Sequence, residues 1–206
     1  MRLYHHPISG HSHRVLLFLA LLKEPVELIE VDILCGEQKT KEFLELNKFG
    51  QVPVLDDDGI VVADSNSILV YLAMKLKRHD WLPADPLRAA EVQRWLSVAA
   101  GELAYGPAAA RRIKLVGDRA VSDEIMRRSQ ALLAVLDNEL GSLDWLVADR
   151  PTLADVALYS YVARAPEGNI DLTDYPYVQA WLYRIESLEG FVPFVKTPIN
   201  LTAAYA

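Results

Sequence analysis

Two stretches of this chain hold most of the groups that could do chemistry. The first is LYHHPISGHSHRVLLFLALL, residues 3–22, where the hydroxyls of Ser9 and Ser12 and the imidazoles of His5, His6, His11 and His13 gather around the entry to an apolar run. A serine at a helix start can cap it by accepting from a first-turn amide. It can also donate its own hydrogen to an anion held at the positive end of the helix. The second stretch is GQVPVLDDDGIVVADSNSILVYL, residues 50–72. Pro53 cannot donate a ladder hydrogen bond, and a cis Val52–Pro53 bond would turn the chain so that the Val52 N–H and C=O face outward, ready to pair with an extended ligand. Just beyond, the Ser65 hydroxyl and the amides after it offer an anion site. A free backbone edge beside an anion site suits a peptide with a free carboxylate.

The elements that must position these groups follow from the pattern. Arg2–His5 reads as a strand, residues 7–10 as a loop, and Ser12–Leu22 as a helix apolar on most sides, hence buried. Val26–Val31 alternates as a strand, residues 32–40 form a polar loop, and Lys41–Leu46 a short helix. Val52–Leu55 and Ile60–Ala63 flank the turn cluster Asp56-Asp57-Asp58-Gly59 as a hairpin. A helix over Ser65–Arg78, capped by Asp64 or Ser65, completes a mixed sheet with helices on its faces. Residues 79–86, with two prolines and no period, read as a linker. Beyond it Leu87–Lys114, Ser122–Leu140, Leu153–Ala165 and Val178–Leu188 carry helical stripes. The expected division is an α/β domain over 1–78, a linker over 79–86 and an all-helical domain over 87–206. Thr152 and Asp155 have the spacing of a capping box, which makes Asp155 a folding residue rather than a catalytic one.

Composition narrows the function. The 206 residues are 51% hydrophobic and 24% charged, enough for a real core, and the net charge of −7 argues against a nucleic-acid backbone as partner. The single cysteine, Cys35, allows no internal disulfide and fits a reducing, cytoplasmic setting; the polar N-terminus reads as no signal peptide and no run is long enough to span a membrane. No metal is expected. Zinc takes three or four ligands around one point, whereas His5 and His6 point to opposite faces of a strand and His11 and His13 diverge on a helix.

GQVPVL followed by DSNSILVYL resembles the glutathione-binding signature of the cytosolic glutathione transferases, and the resemblance runs over nearly the whole chain. It implies a thioredoxin-like first domain followed by an all-helical one. It also implies glutathione as substrate, held by Val52 and Pro53 at the cysteinyl backbone and by Asp64 and Ser65 at the γ-glutamyl end. Family position adds Gln38 and Lys39 near the glycyl carboxylate and Gln51 as a supporting side chain, with His11 and Ser12 as further polar contacts. The segment PISGHSHRV is similar to the serine-type, theta-like members and puts Ser9 at the activating position, although a shift of the loop by a residue or two would exchange it with His11 or Ser12. Asn47-Lys48 stands where relatives often have Asn-Pro.

Energetics allow one hydroxyl to matter. An unperturbed thiol titrates near ~8.5, and lowering it by about two units takes roughly 2.7 kcal/mol. A hydrogen bond to a charged group supplies about 1.5–3 kcal/mol and a helix N-terminus about 0.3–1 more. The activity that the resemblance implies is conjugation of the glutathione thiolate to small hydrophobic electrophiles, with reduction of organic peroxides as a variant of the same chemistry. A non-enzymatic interaction protein of the same family is the alternative. The resemblance further implies a homodimer and an electrophile site lined by the helical domain. Tyr105, Arg111 and Arg112 are its candidates, with Trp95, Phe191, Phe194 and Tyr205 as more distant ones.

Overall fold

A computed structural model describes residues 1–117, 119–147 and 149–197, which form two compact units. The first unit comprises Met1–Leu82 and takes back Leu188–Val195; the second begins at Pro83 and continues to Ser187, resuming at Lys196.

The first unit is a four-stranded mixed sheet in the order β2-β1-β3-β4. Its strands are β1 (Arg2–His5), β2 (Glu27–Glu30), β3 (Val54–Asp57) and β4 (Ile60–Ala63), and its helices are α1 (Gly10–Leu22), α2 (Lys41–Leu46) and α3 (Ser65–Lys75). β1 and β2 run parallel, while β3 is antiparallel to both β1 and β4. With α1, the sequence β1-α1-β2 is a crossover unit, and the thioredoxin-like architecture expected from the sequence is the one observed. Period-two alternation sends Leu3 and Leu55 to one face, both fully buried, and Tyr4 and Val54 to the other. The second face receives Phe43 of α2, edge-on to Tyr4, in a cluster with Val31 and Val54 against which Val52 also packs. Val15, Leu17, Phe18 and Leu19 of α1 have no exposure, as the near-continuous apolar run predicts.

The hairpin differs from the sequence expectation at three points. Strand β3 starts at Val54 rather than Val52, because Pro53 has no N–H to give the ladder. It also continues through Asp56 and Asp57, which looked like turn residues. Both carboxylates are buried and partnered, Asp56 by Arg2 at 2.6 Å and Asp57 by Lys75 and by Tyr71 at 2.5 Å. The turn is only Asp58-Gly59, both at positive φ (53° and 94°), which is the mirror-image two-residue turn that matches strand twist.

The second unit is helical: α4 (Pro86–Val98), α5 (Pro107–Leu115), α6 (Asp123–Leu140), α7 (Leu153–Ala163) and α8 (Pro176–Glu186). The single helix expected over Leu87–Lys114 is broken. A π-helical turn spans Ala99–Leu103, and Pro107, unable to donate, opens α5. Asp155 sits 1% exposed, its carboxylate accepting from Thr152 N (2.8 Å), Leu146 N (3.1 Å) and Trp181 Nε1 (2.9 Å). The capping box at α7 is complete, and Asp155 also ties α7 to α8.

Candidate functional site

Strand directions gather four loops at one edge of the first sheet. β1 and β2 both end there, at the paired residues His5 and Glu30, and β3 enters there because Val54 pairs with Tyr4. β4 leaves there because Ala63 pairs with Val54. Residues 6–9, 31–40, 50–53 and 64–66 therefore share an edge, and every residue expected from the sequence to contact glutathione lies in one of these loops or in the first turn of the helix that follows.

The loop after β1 is tied down by its own backbone. Ser9 N donates to His6 O (3.0 Å), Ile8 N to His6 Nδ1 (3.2 Å), and His6 N to Ser12 Oγ (3.3 Å). Burial lowers the His6 pKa, consistent with a ring nitrogen that accepts from an amide. The two serines are thereby separated. Ser12 is 1% exposed with its oxygen engaged by His6, whereas Ser9 is half-buried and caps α1, accepting from Ser12 N at 3.2 Å. Among the described residues nothing accepts the Ser9 hydroxyl hydrogen.

A second set of contacts joins the first turns of α1 and α3. Ser65 Oγ, 2% exposed, receives Arg14 Nη1 at 2.8 Å and lies 3.3 Å from His11 Nδ1; Arg14 Nη1 also donates to Asn66 Oδ1 at 2.7 Å. Burial, with the Arg14 charge beside it, pushes the His11 pKa down to about 3, so the ring is neutral at working pH. Asp64 caps α3 through Ser67 N (2.9 Å) and holds a positive φ of 74° with ψ 128°, a sparsely populated conformation for a residue with a side chain. Arg14 and Asn66 escaped the sequence reading. The signal was there for Arg14: a lone cation inside an apolar run is buried, and a buried cation needs acceptors.

The Val52–Pro53 bond is cis. The Val52 side chain packs toward Phe43 while its N–H and C=O make no hydrogen bond among the described residues. The approach to it is braced by Asn47, also missed, whose Nδ2 donates to Gln51 O (2.8 Å) and whose Oδ1 accepts from Phe49 N (3.1 Å). With Lys48 next to it, the loop is held by this asparagine. Lys39 Nζ donates to Phe49 O (3.0 Å) and Gly50 O (2.9 Å) and has no carboxylate partner among the described residues. A Cβ on Gly50 would lie 2.6 Å from Gln38 O and 2.8 Å from Lys39 Nζ, so only glycine, at its φ of 57°, lets these two loops meet. Gln38 Nε2 donates to Ile33 O (3.2 Å), Gln38 Oε1 is buried with no hydrogen bond, and the Gln51 side chain is exposed. Cys35 is exposed, its thiol pushed up by Asp32 rather than activated.

In the helical unit Tyr105 and Arg112 are exposed, while Arg111 is 3% exposed and engaged by Glu167 (2.7 Å) and Thr197 (2.8 Å). Trp95 is core, its indole N–H donating to Leu146 O. Phe194 belongs to the first unit, where it stacks on His13 at 4.7 Å; Phe191 also lies there, and Tyr205 lies outside the described residues. Among the described residues no three His, Cys, Asp or Glu side chains are grouped to hold a metal, and no helix is long and apolar enough to cross a membrane.

Comparison with known proteins follows the same division. Residues 8–75 match the family model described as the glutathione S-transferase N-terminal domain, and residues 92–189 the one described as its C-terminal domain. The chain is 32% identical to glutathione S-transferase F13 of Arabidopsis thaliana, over 99% of this chain and 97% of that one. It is 28% identical to glutathione S-transferase GstB of Escherichia coli K12, over 93% and 96%. Among solved structures, a possible glutathione S-transferase from Rhodopseudomonas palustris superposes with a TM-score of 0.88 at 36% identity, covering 96% of this chain and 98% of that one.

Proposed function

The chain belongs to the glutathione S-transferase family, and from that premise we propose that it binds glutathione along the edge at Val52 and activates its thiol with Ser9. The observation that carries this reading is a difference in access between the two serines: each oxygen accepts from a backbone amide and keeps its hydrogen, but Ser12 is 1% exposed while Ser9 is half-buried and open to a ligand. A thiolate beside Ser9 would accept that hydrogen and sit at the positive end of α1, and together these can lower its pKa by about two units.

The rest of the tripeptide follows the edge. The cysteinyl backbone pairs with the unengaged Val52 N–H and C=O. The γ-glutamyl carboxylate goes to Ser65 and the α3 amides, where Arg14, bonded there to the two neutral acceptors Ser65 and Asn66, supplies positive charge. Asp64 shapes this end as the cap of α3 and is available to the γ-glutamyl amine. At the far end Lys39, with Gln38 and Gln51 beside it, takes the glycyl carboxylate. His11 and Ser12 support the site from within rather than touching the sulfur. The thiolate then attacks a small hydrophobic electrophile at carbon, with proximity of the two reactants supplying the remaining acceleration; an organic peroxide, reduced to its alcohol by the same thiolate, is the alternative substrate. Tyr105 and Arg112 of the helical unit remain candidates for contacting the electrophile, and Arg111 is set aside because Glu167 and Thr197 occupy its guanidinium. A homodimer in the cytoplasm accords with the family.

Retention on immobilised glutathione, followed by a conjugation assay with chlorodinitrobenzene, tests the reading. Retention with turnover is expected. Retention without turnover on any electrophile or peroxide would remove the activating role of Ser9.

A further inference from the structure

Ser65 Oγ meets two groups from α1, Arg14 Nη1 at 2.8 Å and His11 Nδ1 at 3.3 Å. A hydroxyl has one hydrogen and two lone pairs to share. Arg14 can only donate, which fills one lone pair. The contact with His11 can run in either direction. An imidazole with its hydrogen on Nε2 accepts at Nδ1 and takes the Ser65 hydrogen, leaving no donor for an incoming anion. An imidazole with its hydrogen on Nδ1 donates into the second lone pair, and the Ser65 hydrogen must then turn away from both α1 groups. The choice of tautomer therefore decides whether Ser65 meets a carboxylate with a hydrogen or with a lone pair. Because burial and Arg14 keep the ring uncharged, tautomer rather than protonation is the variable.

We propose that His11 is a positioning residue for glutathione: as its Nδ1–H tautomer it joins Arg14 in filling both lone pairs of Ser65 Oγ, and so aims the Ser65 hydrogen at the ligand's carboxylate. The proposal rests on the reading that Ser65 holds the γ-glutamyl end. A hydroxyl that accepts twice is also polarised into a better donor, so Arg14 and His11 strengthen the bond they orient. His11 reaches the ligand only through Ser65.

The full-length protein tests this in two ways. In steady-state conjugation with chlorodinitrobenzene, His11→Phe raises the KM for glutathione about tenfold with kcat little changed, the effect of a mis-aimed hydrogen bond to a charged group. His11→Asn, whose side-chain N–H falls near the position of Nδ1, recovers most of the loss. In a Ser65→Ala background, His11→Phe adds no further loss, because the residue it acts through is gone. Additive losses in the double variant would overturn the positioning role while leaving the anion site standing. An unchanged KM in Ser65→Ala alone would overturn the anion site, and the proposal with it. Long-range nitrogen–proton NMR of the wild type reads the tautomer directly. Saturating glutathione is expected to give the Nδ1–H pattern for His11, identified by the signal missing in His11→Asn; an Nε2–H pattern in the complex would overturn the proposal.

Discussion

Ser9→Ala separates chemistry from folding, because Ser9 caps α1 in the structure and is proposed to activate the thiol as well. Its oxygen caps α1 through a rather long 3.2 Å contact with Ser12 N, and its hydrogen has no acceptor among the described residues. Losing the cap costs about 1 kcal/mol, or a fall in melting temperature of about 2–4 °C for a chain of this size. Losing the donor removes about 1.5–3 kcal/mol of thiolate stabilisation, which at ~1.36 kcal/mol per unit raises the pKa of bound glutathione by about 1–2 units. A rise from about 6.5 to about 7.5–8.5 cuts the thiolate fraction, and so turnover at pH 7, by about 3–25-fold. The KM for glutathione should change little, since Val52, Ser65 and Arg14 are untouched. Ser9→Gly is the control, because glycine costs only a few tenths of a kcal/mol as a cap yet equally lacks the hydroxyl. The two variants should differ in melting temperature and agree in thiol pKa, read from thiolate ultraviolet absorbance of the bound tripeptide against pH. A bound-thiol pKa in Ser9→Ala indistinguishable from wild type would refute the reasoning, whatever happened to stability.

Three further outcomes follow from the packing. Asp155→Ala leaves the Thr152, Leu146 and Trp181 donors without their shared acceptor and should cost about 3 kcal/mol or more, seen as a large drop in the urea midpoint; a drop under about 1 kcal/mol would contradict its role as a tie between α7 and α8. Lys75 and then Tyr71 hold the Asp57 carboxyl below its ordinary range, so its stabilisation is present above the unfolded value of about 3.9 and lost as pH falls through the lower folded value. Asp57→Asn should accordingly lower the melting temperature at neutral pH by a margin that narrows below about pH 4, and a margin independent of pH would contradict this. Gly190→Ala places a Cβ 2.7 Å from Ala20 O at a φ of 87° and should destabilise by about 1–3 kcal/mol in thermal unfolding; a neutral effect would mean that residues 188–195 do not pack on α1 as described.

What could be read from the sequence was whatever a local rule governs. Period-two strands, the apolar α1 run and the Thr152/Asp155 spacing each announce an element within a few residues, and strand direction then brings the four loops to one edge. The reading failed where a distant partner reverses a local preference. Asp56 and Asp57 look like turn residues until Arg2, Tyr71 and Lys75 arrive to hold them inside a strand. The helical stripe of residues 87–114 hid the break at Pro107, because apolar spacing continues across it. The return of residues 188–195 to the first unit, with Phe194 on His13, had no signal in the local pattern at all. At the site, Ser9 and Ser12 could not be told apart by type or spacing. Burial in the folded chain distinguishes them: Ser12 is 1% exposed, and Ser9 is half-buried.

A crystal structure of the protein with glutathione bound addresses the central claim most directly. The account predicts the sulfur within hydrogen-bonding distance of Ser9 Oγ, the cysteinyl backbone paired with Val52, and the γ-glutamyl carboxylate on Ser65. A sulfur directed at His11 or Ser12, or a tripeptide lying away from Val52, would contradict it.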